Sequence, residues 1–184
     1  MNSSMNRRHW LVLAPALPLA VAGCSTPGVE RYAAGRPELD LRRYFDGPVS
    51  AYGMFSDRSG EVRRRFTVAM QCSWQGDQGV LDEQFVYDDG ERQRRVWRLR
   101  HLGNGAYVGT ADDVVGEARG QTAGHAFRWG YTLRLPVDGR VWEVDFDDWM
   151  FLIDERVMLN RATMSKFGVR LGEVQLAFTK GPAS

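Results

Sequence analysis

The sequence is poor in the residues that most often carry catalysis. Of 184 residues only two are cysteine, Cys24 and Cys72, and three are histidine, His9, His101 and His125. No His-x-His or His-x-x-x-His spacing occurs, and there is no Gly-x-Ser-x-Gly elbow or phosphate loop, so zinc hydrolysis, a serine triad and nucleotide chemistry lack their usual carriers. No cofactor and no metal site is expected. Net charge is also lacking: 24 Lys and Arg against 23 Asp and Glu give +1, without the basic surplus that nucleic acid demands. The apolar run Trp10 to Ala22 is 13 residues, too short for a membrane-spanning helix of about 20. Helical spacing is scarce as well. Only Leu39 to Pro48 shows it, with Leu41, Tyr44 and Phe45 on one side and Gly47-Pro48 as the stop.

What is present begins with an address. Arg7 and Arg8 precede the apolar run, and Val21-Ala22-Gly23 places small residues before Cys24, the pattern of a secretory signal. A plain basic head accounts for the arginine pair better than a twin-arginine signal, since nothing else of that motif follows. Cysteine directly after the small residues resembles the bacterial lipobox. That resemblance implies a diacylglyceryl thioether on Cys24, cleavage before it and acylation of the new amine; Ser25 in place of aspartate implies release to the outer membrane. The expected organisation is a signal peptide over 1–23, a lipidated flexible tether over 24–38 and a single domain over 39–180, anchored by lipid at the periplasmic face of the outer membrane. Removing the signal leaves 161 residues, enough for one core, and 22 basic against 23 acidic side chains. With Cys24 lipidated, Cys72 has no partner in its own chain. It alternates in phase with Phe66, Val68, Met70 and Trp74 and reads as a buried thiol rather than a nucleophile.

From Tyr52 onward the chain alternates apolar and polar residues between short turns. Val62 to Trp74, Leu81 to Tyr87, Arg92 to Leu102, Ala106 to Ala111, a weak glycine-rich stretch from Val114 to Gly120, and Val174 to Phe178 each read as a strand. The densest pattern runs from Phe127 to Met164. Phe127, Trp129, Tyr131, Leu133 and Leu135 share one face; Asp138-Gly139 is a two-residue hairpin turn that sets Leu135 opposite Trp142 and Arg134 opposite Glu143. The apolar phase then slips by one, from Phe146 to Trp149, Phe151 and Ile153, and a β-bulge at Asp147-Asp148 is expected to absorb the slip. About ten strands linked by tight turns predict an all-β fold, an antiparallel up-and-down meander rolled into a lipocalin-like barrel, closed or with a gap, with a short N-terminal helix. The helix and Gly47 before the first strand are similar to the start of a lipocalin, although the tryptophan expected two residues after that glycine is Val49.

The run from Leu39 to Lys180 also resembles an uncharacterised family of bacterial lipoproteins, the domain of unknown function 3833. The matching segments are Gly53-Met-Phe-Ser-Asp-Arg-Ser-Gly60, Phe85-Val-Tyr-Asp-Asp-Gly-Glu91, Thr110-Ala-Asp-Asp-Val-Val-Gly116, Leu133-Arg-Leu-Pro-Val-Asp-Gly139, Asp145-Phe-Asp-Asp-Trp-Met150 and Asn160-Arg-Ala-Thr-Met-Ser-Lys-Phe-Gly168. The resemblance carries no activity; it implies a link to lipid metabolism.

For a site, Glu143, Asp145 and Asp147 are on one strand face, successive members about 7 Å apart, and read as a solvated ladder rather than a metal or glycosidase pair. Asp88-Asp89 and Asp112-Asp113 fall in turns and read as structural. If Asp154-Glu155 is a two-residue turn, Asp148 faces Arg161 and Trp149 faces Asn160. On one reading that pair fastens the hairpin. On the other, Arg161, Asn160 and Lys166 offer donors to an anionic head group, Asp148 lies beside them, and Trp97, Trp129, Tyr131, Trp142 and Trp149 line an apolar cavity. The function expected is non-catalytic binding or handling of a lipid or fatty acyl compound. Two alternatives stand beside it. One is an envelope interaction protein using Met150, Leu152, Val157 and Leu159 on the second face of the central hairpin; the other is a cofactor-free lipid enzyme using Asp148 and Arg161.

Overall fold

The computed structural model describes residues 28–137 and 139–181. Cys24 and the stretch expected to be a signal peptide lie outside the described residues. Ten antiparallel strands follow one another: β1 (Gly47–Asp57), β2 (Val62–Gln75), β3 (Gln78–Tyr87), β4 (Arg92–Gly103), β5 (Ala106–Thr110), β6 (Ala118–Ala123), β7 (Ala126–Val137), β8 (Arg140–Leu152), β9 (Val157–Lys166) and β10 (Val169–Lys180). Each pairs with the next, and β10 returns to β1 from Val49 opposite Lys180 to Asp57 opposite Gly172. The meander therefore closes into a barrel. The short helix α1 (Leu41–Tyr44) is capped by Asp40, whose Oδ1 accepts from Arg42 N at 2.9 Å.

Alternation explains most of the wall. Val68, Met70 and Cys72 of β2 point inward and are buried, while Thr67, Ala69 and Gln71 between them are exposed. The β7–β8 hairpin has the expected register, Leu135 opposite Trp142 and Arg134 opposite Glu143, with Gly139 at φ 73° in its turn. On its outer face the acids form the expected ladder: Glu143 meets Arg134 at 3.6 Å, Asp145 accepts from Thr132 Oγ1 at 2.7 Å, and Asp147 accepts from Arg128 Nε at 2.7 Å.

The bulge at Asp147-Asp148 is not there. β8 keeps an unbroken register against both β7 and β9, and the irregularities fall instead at Phe55-Ser56, at Arg170-Gly172 and at His101-Gly103. Val144, Phe146, Asp148, Met150 and Leu152 thus all face inward, and Trp149 and Phe151 face outward. The apolar phase changes because the outer wall acquires a cover at that point. A 3-10 turn, Val29–Tyr32, lies on it, with Val29 buried beside Ala126 and Trp149. Tyr32 packs edge-on against Trp149 and Phe151, at centroid distances of 5.9 and 5.2 Å. Part of the stretch expected to be a tether is therefore docked on the barrel.

The β8–β9 connection also differs from expectation. It spans four residues, 153–156, because Asp154 Oδ1 accepts from both Arg156 N and Val157 N at 2.7 Å and Ile153 N donates to Val157 O at 2.9 Å. The pair nearest the loop is Leu152 with Met158, not Val157, which moves the register by one residue, so Asp148 stands opposite Ala162, Trp149 opposite Arg161 and Met150 opposite Asn160. Asp148 and Arg161 are consequently on opposite sides of the wall. Met150 and Leu152 do not share a face with Leu159 either, since the first two are buried inside and Leu159 is exposed outside. Val114 forms only an isolated bridge to Leu133, and the weak strand begins later, at Ala118.

Close approach to an inward glycine sets part of the interior. A Cβ at Gly120 would lie 2.3 Å from Trp129 Cβ and 2.6 Å from the Phe127 ring, whereas at Gly130 its nearest neighbour would be Phe146 O at 3.6 Å. Gly120→Ala is expected to destabilise the barrel by about 1–3 kcal/mol through overpacking, and Gly130→Ala to leave it unchanged or stabilise it by about 0.5 kcal/mol. Urea unfolding midpoints at constant slope check the contrast.

Candidate functional site: the barrel lumen

The helix α1 stoppers one end of the barrel. Leu41, Tyr44 and Phe45 are buried, Tyr44 OH donates to Arg156 O at 3.0 Å, and Tyr107 OH donates to Asp40 Oδ1 at 3.1 Å. Above this stopper is a cavity of about 630 Å³, bounded below by Leu41, Phe45 and Phe178 and reaching Val137, Trp142 and Leu171 near the hairpin tips at the other end. That size falls within the roughly 300–1,000 Å³ of small-molecule sites, and the mixture of mainly apolar lining with a few polar groups is also theirs.

The polar groups form a belt part-way up the lumen. Asp148 is 5 % exposed and Asn160 5 %. Asp148 accepts from Trp129 Nε1 at 3.3 Å and Tyr131 OH at 3.1 Å, and from Asn160 Nδ2 in a short contact. These donors are what allow a carboxyl into an apolar wall. Burial is still the largest influence on it and pushes Asp148 up to about 6; burial and the neighbouring Asp148 drive the Tyr131 phenol well above its ordinary value. Asn160 Nδ2 donates as well to Trp149 O at 3.3 Å, and Asn160 Oδ1 is buried without a partner.

Across the lumen, Arg95 stands opposite Glu83 yet makes its bidentate pair with Asp113, at 2.9 Å through Nε and 2.7 Å through Nη2. Among the described residues no group hydrogen-bonds to the Glu83 carboxyl. Its remaining accessible surface borders the cavity, so it is neither packed nor in bulk water. Desolvation pushes it up to about 7 against the opposing pull of Arg95. The pair of Arg95 and Asp113 also bars a side window. Strands β5 and β6 are short, and beyond them a second hollow of about 330 Å³ opens between Arg94–Val96 and Arg134–Pro136, sharing Phe85, Gln93, Arg95 and Leu135 with the lumen.

At the open end two cations sit on aromatic rings. Arg64 stacks 3.6 Å over Tyr87 while binding Asp89 at 2.7 Å and Glu91 at 2.6 Å. Lys166 lies 5.1 Å over Trp142 and donates to Glu143 O at 2.9 Å.

Of the residues expected to bind a ligand, Trp97, Trp129, Tyr131, Trp142, Asp148 and Asn160 border the lumen, and Lys166 is at its rim. Two are misplaced by the absent bulge and the longer loop: Trp149 is on the outer wall beneath Tyr32, and Arg161 is exposed outside. A pair of Asp148 and Arg161 is therefore neither a hairpin fastener nor an enzyme site. Cys72 is the expected core thiol, pushed up to about 12 by burial. Sequence reasoning missed Glu83 and Arg95. Their signal was present: each is a charged residue in the apolar phase of its strand, Glu83 between Leu81 and Phe85 and Arg95 two before Trp97.

Glu83 makes the barrel's pH response asymmetric. Its folded value of about 7 stands above the ordinary value near 4.3, so the neutral carboxyl is the form the fold tolerates. The stability it contributes is complete below the unfolded value and is lost as pH rises through the folded one. Glu83→Gln is expected to remove that loss, so that the variant gains on the parent by up to about 3 kcal/mol between pH 4.5 and 7.5. Urea titrations at the two pH values measure it; parallel stabilities would show that Glu83 ionises normally.

Comparison with known proteins agrees with this architecture. The S-type phycobiliprotein lyase CPES from Guillardia theta superposes with a TM-score of 0.59 at 6% sequence identity, over 86% of this chain and 100% of that one. A protein of unknown function of the DUF3598 family from Nostoc punctiforme superposes with a TM-score of 0.55 at 10% identity, over 80% of this chain and 51% of that one. At such identities the likeness is one of fold, a lipocalin-like barrel compatible with binding a small ligand. No functionally curated protein matches the chain. A family match is found over residues 18–180, and the chain belongs to the family described as protein of unknown function DUF3833.

Proposed function

We propose that this protein is a lipid-anchored protein of the cell envelope that binds or handles one lipid or fatty acyl ligand in its barrel, without catalysis. The observation that carries the reading is the lumen of about 630 Å³, unfilled although aromatic side chains crowd its wall. An elongated apolar ligand fits a room that runs from a stoppered end to a mouth. The acid belt disfavours an anionic head in mid-lumen, where Asp148 and Glu83 line the wall and the cation beside them, Arg95, is already paired with Asp113. A head group is better served at the mouth, by Lys166 over Trp142 and by Arg64 over Tyr87.

Native mass spectrometry after mild extraction tests the binding. An acyl mass should leave with the wild-type chain, and Ala162→Phe, which pushes a ring into the lumen from β9, should lose it while the barrel still folds by circular dichroism. A wild-type chain that carries no such mass, and takes up no fatty acid when offered, overturns the reading. The anchor is tested separately: Cys24→Ala should move the protein from the membrane to the soluble envelope fraction, because one or no acyl chain falls below the threshold for stable anchoring.

One observation favours a second reading, an envelope interaction protein. Neighbouring hairpin tips around the mouth expose Phe167 (91 %), Val141 (68 %) and Val169 (57 %), more apolar surface than a rim facing only water needs. A protein partner recovered with the wild-type chain but not with Phe167→Asp, in the absence of any lumenal ligand, would favour it.

A further inference from the structure

The belt divides the lumen into two apolar compartments. Below it lie Leu81, Leu99 and Met150, above it Phe55, Phe66 and Leu135. Within the belt most polar groups are already committed to one another: Arg95 to Asp113, and Trp129, Tyr131 and Asn160 Nδ2 to Asp148. Two are not. The Glu83 carboxyl has no partner among the described residues, and Asn160 Oδ1 is buried without one. The orientation of Asn160 is fixed by chemistry, because both groups facing its Nδ2, the Asp148 carboxylate and Trp149 O, are acceptors. Unmet buried polar groups are costly, and both residues line the cavity, although Asn160 Oδ1 itself has almost no accessible surface.

Their chemistry defines what would satisfy them. Asn160 Oδ1 can only accept a hydrogen bond. A Glu83 carboxyl held close to neutrality can donate or accept. A carboxylate placed there would meet Glu83 and Asp148 with one arginine in opposition, itself already paired with Asp113, and a plain methylene chain would leave both groups unmet. An uncharged group that both donates and accepts suits them, with apolar chain on either side of it.

We infer that the lumen selects acyl ligands bearing a hydroxyl group part-way along the chain, and that Glu83 is the residue that reads that hydroxyl. The inference deepens the proposed lipid binding and rests on it. The ligand lies with its carboxyl end at the mouth near Lys166, its hydroxyl at the belt and its tail against the α1 stopper. From Lys166 to Ala162, which stands opposite Asp148, is four residues of β9, roughly 13 Å along the strand, so the hydroxyl belongs well inside the chain and not beside the head.

Stearate and a series of hydroxystearates, with the hydroxyl moved from carbon 3 to carbon 12, test this on the purified chain stripped of co-purifying lipid, with affinity read by quenching of tryptophan fluorescence. One internal position should bind at least tenfold more tightly than stearate. That advantage should vanish in Glu83→Leu and persist in part in Glu83→Gln, whose amide still donates and accepts; thermal melts confirm that each variant folds, and the near-isosteric Glu83→Gln alone decides if Glu83→Leu does not. Equal affinity for stearate and for every hydroxystearate overturns the inference and leaves lipid binding standing. An advantage that survives in Glu83→Leu removes Glu83 from the role. Failure of all the acids, stearate included, overturns the inference together with the function it rests on.

Discussion

Ring closure is the constraint on which the rest depends. Once β1 pairs with β10 every strand has a neighbour on both sides, and the circumference is set by ten staves. Eight strands give an interior that side chains can just fill. Ten make it wider, so even a wall carrying Trp97, Trp129, Tyr131 and Phe146 leaves space between opposite sides. The lumen is thus a result of strand number before it is a result of side-chain choice. What side chains decide is which end is shut, and α1 shuts one with three apolar residues in a row of five.

The belt follows from a different balance. A carboxyl taken into an apolar wall costs free energy unless donors meet it, and Asp148 is met by an indole, a phenol and an amide. Those donors come from β7 and β9, the two neighbours of β8, so one buried acid ties three adjacent strands together from the inside. On the opposite wall the arrangement is looser. Arg95 turns to Asp113 in the loop before β6, which secures that loop and leaves Glu83 without the partner its register offers. The two walls therefore differ in kind: the acid of one is met by three donors from its own neighbours, and the acid of the other is open to hydrogen bonding from the lumen.

Much of this was legible in the chain. Alternation from Val62 to Trp74 and from Phe127 to Leu135, together with tight turns throughout, was enough for a ten-strand meander, and the β7–β8 register followed from a two-residue loop. The failure at Asp148 has two physical causes. Period-2 reasoning assumes that the outer face is wet, and here Tyr32 and Val29, over 110 residues upstream, cover Trp149 and Phe151; a long-range contact of that kind leaves no local mark. The β8–β9 connection also leaves five residues, 153–157, between the paired Leu152 and Met158 where a two-residue turn leaves two, because Asp154 caps two amides, and in a sheet a shift of one residue reverses the face of every side chain after it. Arg161 went to the outside for that reason alone. Glu83 and Arg95 each break the apolar phase of a strand, which is the one mark that a charge facing the lumen leaves in an alternating pattern.

The staves of this barrel are not of equal length. β8 runs for 13 residues, whereas β5 has five and β6 six, and the wall above them is completed by a loop carrying the single bridge of Val114 and the guanidinium clasp of Arg95. Local opening in proteins concentrates where backbone ladders are shortest. In a closed hoop hydrogen bonds along that seam can be given up without dismantling two long neighbours. Amide exchange fastest along this panel, and slowest along β8, is the dynamic signature that such a shape imposes, and it gives the interior a flexible side as well as an open top.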